Sequence, residues 1–302
     1  MLRCAFALWL AISAPAFAQT GEPLRVCMDE GNPPLSQRVK RESRGLDVYL
    51  AEAIAKAANR PLKIVFFEVE NERDRNVVHE INAMLSANVC ELASGFALFA
   101  PDLGAPSRAS ARVPDHDGAP PRRQRPYITL QSLAASRAYQ ASTLGVVVRD
   151  TALNVATLAD LQHQRIGVTA GTVAGTALAM YRKGALISAM RSIAQREDIF
   201  AVLEGETLDA VLAPLNKWDA YRLAHPHTKL HAGTYQHPFR MHLGFAALAS
   251  AQAILATVND VIGRSIQDGN LQRWADATGT TWIRPSGEEV RSSFRTADLI
   301  TE

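Results

Sequence analysis

Ile166-Gly167-Val168-Thr169-Ala170-Gly171-Thr172 is the stretch on which the fold turns. Its apolar, β-branched start reads as a buried strand over 164–168. Gly171 and Thr172 then break the extended chain, and a helix pattern runs on to Arg182. A strand that ends in a Gly-Thr pair and passes directly into a helix is a β-to-α junction. Free backbone N–H groups, a hydroxyl and the positive end of the helix dipole meet there, which suits an anion. The alternative is local: Thr172 caps its own helix. Both uses are compatible.

The same junction recurs upstream. A strand over 24–28 leads to a helix over 45–58, with Leu46, Leu50 and Ile54 on one face and Asp47 in the first turn, where the dipole favours a carboxylate. A strand over 62–67, a helix over 76–86 and a strand over 89–96 continue the alternation. Downstream come a strand over 144–148, a helix over 194–203, a strand over 208–213 and a helix over 215–224. An extended run over 240–248 is followed by a helix over 252–267, closed by Gly269, and by a short last helix with Leu271 and Trp274. Strand alternating with helix predicts an α/β fold with mostly parallel sheets and right-handed crossovers.

Two stretches interrupt this pattern. Between 100 and 126, Pro101, Pro106, Pro114, Pro120 and Pro121 are mixed with five arginines, so a long exposed loop is expected. From Pro285 onward few apolar residues and no period remain, which predicts a frayed, flexible tail over 285–302.

Residues 1–18 read as a signal peptide. Arg3 supplies the positive start, 6–12 a short apolar stretch, and Ala16-Phe17-Ala18 the small residues at the cleavage positions. The apolar stretch is shorter than the roughly 18 residues that a membrane anchor needs, so export to a periplasm as a soluble protein is expected. A net charge of +2 with 47% apolar residues describes an ordinary globular chain and gives no basic stripe for nucleic acid. The length suits two lobes better than one core.

Cleavage would leave two cysteines, Cys27 and Cys90. In an oxidising compartment such a pair forms a structural disulfide, the rival reading being two buried thiols. Five histidines, His225, His227, His231, His237 and His242, lie close in sequence, but only His225-Pro226-His227 has tight spacing and no Cys or carboxylate cluster joins them, so no metal and no other cofactor is expected. No Gly-x-Ser-x-Gly elbow, HExxH or phosphate loop is present. The one candidate for a catalytic acid is Glu30, whose pKa burial between closing lobes would raise.

Taken in order, Leu24-Arg25-Val26-Cys27, Asp29-Glu30-Gly31-Asn32-Pro33-Pro34, Gly45-Leu46-Asp47-Val48-Tyr49-Leu50, the stretch from Ile166 to Thr172, Leu208-Asp209-Ala210-Val211-Leu212 and the closing helix resemble the family 3 extracellular solute-binding proteins. The resemblance implies a type 2 periplasmic-binding-protein-like fold with a ligand cleft between two lobes. Lobe 1 would be 19–136 with a return over 237–284, and lobe 2 would be 141–236. It implies a polar solute, delivery to an inner-membrane ABC permease, and a monomer. Asp29, Glu30, Asn32, Ser94, Gly95, Gly171, Thr172, Val173 and Pro214 would line the cleft.

Two departures bear on the solute. Amino-acid binders of this family carry an acidic residue five positions beyond the Asp of the Asp-Ala-Val strand, where this chain has Pro214. Their carboxylate-clamping Arg follows a Thr-rich turn after the third strand, and here Arg108 and Arg112 are the substitutes. The expected solute is therefore not a free amino acid, or is one gripped by Asp29 or Glu30. Val26-Cys27, Cys90-Glu91 and Arg125-Pro126-Tyr127 also resemble a branch found beside quinoprotein alcohol dehydrogenases, which implies an accessory role to such an enzyme as an alternative. A third possibility is a cleft enzyme of the same fold, a dehydratase or lyase.

Overall fold

The computed structural model describes residues 21–69, 76–150 and 153–300. The expected signal peptide, 1–18, lies outside the described residues. Two sheets organise the rest, one of seven strands and one of five.

The first sheet is centred on β1 (Leu24–Asp29), with β2 (Leu62–Glu68) and β3 (Leu92–Ala97) parallel to it on either side. Helix α1 (Leu46–Ala57) links the first pair and α2 (Val77–Ser86), capped by the Asn76 side chain, links β2 to β3. Side chains alternate across the sheet. Leu24, Val26 and Met28 pack with Leu46, Leu50 and Ile54 of α1, whereas Cys27 points to the α2 face. There it forms a disulfide with Cys90 across a sequence separation of 63 residues, the pairing expected from the sequence.

The sheets, expected to be mostly parallel, are mixed. After β3, the strands β4 (Leu133–Ala135) and β5 (Gln140–Ser142) both pair antiparallel with a late strand, which itself lies antiparallel to β3. The second sheet contains β6 (Leu144–Val148), β7 (Ile166–Thr169), β8 (Met190–Ile193), β9 (Ala210–Pro214) and β10 (His231–Gln236) in the order β8-β7-β9-β6-β10. Helices α3 (Val173–Met180), α4 (Ile199–Glu204) and α5 (Leu215–Ala224) accompany it. Strand β8 was not legible in the sequence, and α4 starts at Ile199 rather than 194 because Asp198 caps it, accepting from the N–H groups of Phe200 and Ala201.

The late strand is β11 (Met241–Leu248), through which the chain returns to the first sheet; α6 (Gln252–Gln267) and α7 (Asn270–Thr278) then cover the α1 face. The two lobe-to-lobe passages run side by side and are stitched together: Thr143 Oγ1 donates to the carbonyls of His237 and Phe239, and His237 N–H donates to Leu144.

The expected loop over 100–126 is not featureless. Ser110–Arg112 pairs with Tyr127–Thr129, Asp115–His116 pairs with the end of β2, and the buried Arg125 donates to the Val113 carbonyl.

The frayed tail is overturned as well. Over its described part, 285–300, the chain runs as a strap across both lobes. Arg291 exchanges backbone hydrogen bonds with Leu98 and Ala100, Glu289 accepts from Ala138 N–H, and Leu299, 1% exposed, joins the core of the second lobe. One buried leucine and a few backbone pairings anchor such a segment without any periodic pattern, so it leaves no signature in the sequence.

Candidate functional site

The carboxyl ends of β1, β3, β7 and β9 face the space between the lobes, where open α/β sheets place ligands. On the first lobe, the chain leaving β1 is held by side chains. Asp29 Oδ1 accepts from Gly31 N–H at 2.9 Å, and Ser36 Oγ donates to the Asp29 carbonyl at 2.7 Å. The turn is fastened to the start of α1, where the N–H groups of Leu46 and Asp47 donate to Pro34 and Leu35. Gly45 makes this possible: at φ 130 a Cβ would lie 2.1 Å from the Leu35 carbonyl oxygen.

Asp29 is half-buried, and desolvation raises its pKa, opposed by the Gly31 N–H and by the charge of Lys217. Lys217 belongs to α5 of the second lobe, so opposite charges confront each other across the cleft. The sequence reading missed Lys217. The available signal was its place in the first turn after Pro214, on a strand end already suspected.

Glu30 is placed differently from the expectation. Both its oxygens are held by Arg38, at 3.0 and 2.6 Å, and Arg38 also donates to Asp117 at 2.8 Å. A carboxylate in a two-point guanidinium fork has little to offer as a free acid. Glu30 is thus tied to Arg38 rather than standing as the free cleft acid expected from the sequence.

Asn32, Ser94 and Gly95 do come together, around a residue first read only as a partner of the helix dipole. Asp47 is fully buried, and Tyr139 Oη donates to its Oδ1 at 2.6 Å. A Cβ on Gly95 would sit 3.5 Å from Asp47 Oδ2 and 3.8 Å from Asn32 Nδ2. Desolvation pushes the Asp47 carboxyl up to about 6, against the lowering effect of the Tyr139 and Ser94 hydroxyls. Ser94 does not reach full hydrogen-bond geometry, and Asp47 Oδ2 and Ser94 Oγ are both buried without a hydrogen-bond partner. Tyr139 lies in the first lobe-to-lobe passage, so this carboxyl joins the floor of the lobe 1 site to the hinge.

On the second lobe, Gly171 adopts φ +70 and Thr172 is the N-cap of α3. The Thr172 hydroxyl donates to Thr169 O at 2.7 Å and accepts from Gly175 N–H at 3.4 Å. The hydroxyl thus makes the cap foreseen for it. Val173 and Pro214 line a cavity of about 480 Å³ between the lobes, together with Lys217, Leu144 of β6, Phe239 of the second passage and Phe294 of the strap. Arg108 and Arg112 do not line it; Arg112 stacks on Tyr127, 4.8 Å from the ring centre. His237 and His242 are buried in the second passage and the return strand, and His225 stacks on Tyr221. Among the described residues no cluster of three or more His, Cys, Asp or Glu side chains is arranged to hold a metal, and no helix is long and apolar enough to cross a membrane.

No protein-family model matches the chain, and no curated protein matches it in sequence. Solved structures do match it in shape. Substrate binding domain 2 of Lactococcus lactis GlnP, in open conformation, aligns with a TM-score of 0.60 at 15% identity over 88% of this chain and 97% of that one. An ancestral cationic amino acid solute binding protein aligns at 0.58 and 18% identity, over 85% and 96%. The unliganded, open L-cystine solute receptor of Neisseria gonorrhoeae aligns at 0.59 and 14% identity, over 89% and 98%.

The chain has the two-lobed periplasmic-binding-protein fold. In this chain the two passages are accompanied by a third segment, the strap, that packs on both lobes. A fourth tie adds to it: buried Asp219 of α5 accepts from Thr281 N–H at 2.6 Å and from Thr281 Oγ1 at 2.8 Å.

Proposed function

We propose that this protein traps a small solute between its lobes in the periplasm and delivers it to an ABC-type permease. The observation that carries the reading is the cavity of about 480 Å³ between the lobes, beside which Asp29 on lobe 1 and Lys217 on lobe 2 feel each other's charge across the cleft. A solute touching both sides gains contacts only in the closed form, and that differential affinity drives closure. Lobe 1 is taken as 19–136 with 237–284, and lobe 2 as 141–236. Asp29, Asn32, Ser94 and Gly95 form the first wall, while Val173, Pro214 and the backbone N–H groups at Gly171 and Thr172 form the second. Glu30 supports this wall through Arg38 rather than by contact.

Protein released from the periplasm under native conditions tests the reading. Native mass spectrometry is expected to show a non-covalent adduct of small-molecule mass, and small-angle scattering a smaller radius of gyration for the adduct than for protein freed of it. Adduct-free protein, or scattering that does not change with the adduct, refutes it.

A second reading, an accessory protein of a quinoprotein dehydrogenase, is supported by the Cys27–Cys90 disulfide, which fits the cysteine arrangement resembling that branch. Co-purification with a dehydrogenase rather than with a permease distinguishes it.

A further inference from the structure

The cavity between the lobes has a composition that narrows the solute. Its walls are mainly apolar: Phe99, Leu144, Phe239, Met241 and Phe294 contribute side chains from four separate segments of the chain. Phe239 and Phe294 meet edge to face, with ring centres 5.3 Å apart, and Arg291 covers the far ring at 4.7 Å from the Phe239 centre. That guanidinium is already balanced by Asp298 at 3.3 Å. Of the polar residues in the lining, Thr143 has spent its hydroxyl on two carbonyls. Asn216 Oδ1 is buried without a hydrogen-bond partner, so it is an acceptor in need of a donor. Lys217 is the single charged residue of the lining, and it is exposed.

Each feature excludes a solute class. A sugar would lose its water against aromatic and aliphatic walls with few partners in return. A cation would meet Lys217. A zwitterionic amino acid would bring its ammonium into a lining that itself holds no carboxylate, Asp29 standing outside the lining and already facing the charge of Lys217. What fits is an apolar body with an anionic end and a hydroxyl or N–H donor, in a cavity of the size that small organic ligands occupy.

We propose that the cleft takes an aromatic monocarboxylate, with Lys217 holding the carboxylate and the Phe239–Phe294 pair receiving the ring. The inference rests on the solute-binding reading and names its substrate class. The C-terminal strap then contributes to recognition, because Phe294 belongs to it.

Isothermal calorimetry with benzoate, 4-hydroxybenzoate and phenylacetate is the test, against benzamide as the neutral isostere, acetate as the anion without a ring, and phenylalanine as the zwitterion. The expected result is binding of the aromatic carboxylates alone, with 4-hydroxybenzoate the tightest. Lys217→Gln is expected to weaken binding roughly tenfold to a hundredfold, the loss of one charge-assisted hydrogen bond. Phe294→Ala, at a half-exposed side chain that leaves the fold intact, is expected to weaken it roughly fivefold or more through lost apolar contact. Lys183→Gln, the same charge change on an exposed residue outside the cavity, is expected to leave affinity unchanged. Equal binding of benzamide, or binding indifferent to Lys217→Gln, overturns the proposal. If the native adduct is instead a sugar, an amine or an amino acid, the substrate class is wrong while solute binding stands. If neither these probes nor any native adduct binds, both fall.

Discussion

Asp47→Asn isolates the cost of burying a carboxyl beneath the cleft. In the unfolded chain the group ionises near 3.8, and in the folded protein burial pushes it up to about 6. Because the folded-state pKa is the higher one, the unfolded chain releases its proton first as pH rises, and folding stability falls through the interval between the two values. Linkage puts the penalty at roughly 0.5 kcal/mol at pH 4, about 1.6 at pH 5 and about 3 at pH 7, where both states are ionised. Asparagine keeps an acceptor for Tyr139 Oη and removes the titration. The variant is therefore expected to gain on the wild type by roughly 2 to 3 kcal/mol between pH 4 and pH 7. Urea unfolding of both proteins at pH 4, 5, 6 and 7 measures this directly, since every other titrating group is common to the pair. A stability difference that is flat across that range refutes the account, and a difference of opposite slope means that the folded protein favours the ionised form.

Other consequences follow from the fold. Replacing both Cys27 and Cys90 with Ala opens a loop of 63 residues; chain-entropy arithmetic gives a loss of about 4 kcal/mol, readable as a lower urea midpoint, and an unchanged midpoint would mean that the unfolded chain is already constrained there. Leu299→Ala removes the strap's anchor from the second lobe's core and is expected to cost about 2 to 4 kcal/mol. A wild-type melting temperature in that variant would show that the strap adds nothing to stability. Thr172→Val deletes the α3 cap and should lower stability by about 1 kcal/mol, with circular dichroism during thermal melting as the readout; no loss would return the hydroxyl to the candidate ligand contacts.

The alternation of strands and helices was legible because burying one face of a strand or helix forces a period on the sequence. Leu24, Val26 and Met28 on β1, Leu46, Leu50 and Ile54 on α1, and the bounds of α5 and α6 all followed from that rule. The cysteine pair was legible from compartment and count, and Gly171 with Thr172 from the chemistry of a helix start. Tertiary structure alone decided the rest, because it depends on which distant residues become neighbours. Glu30 has the composition of a cleft acid, yet Arg38, eight residues on, occupies it. Asp47 has the sequence of a helix-start carboxylate, yet Tyr139 from the hinge closes over it and the water that would have stabilised its charge is gone. Lys217 and Asp29 are far apart in the chain and come within reach of each other's charge only through the lobe arrangement. The strap is the clearest case: a few contacts at Arg291, Phe294 and Leu299 fix it across both lobes, and contacts so sparse leave no period in the sequence, since only the surfaces they meet give them their energy.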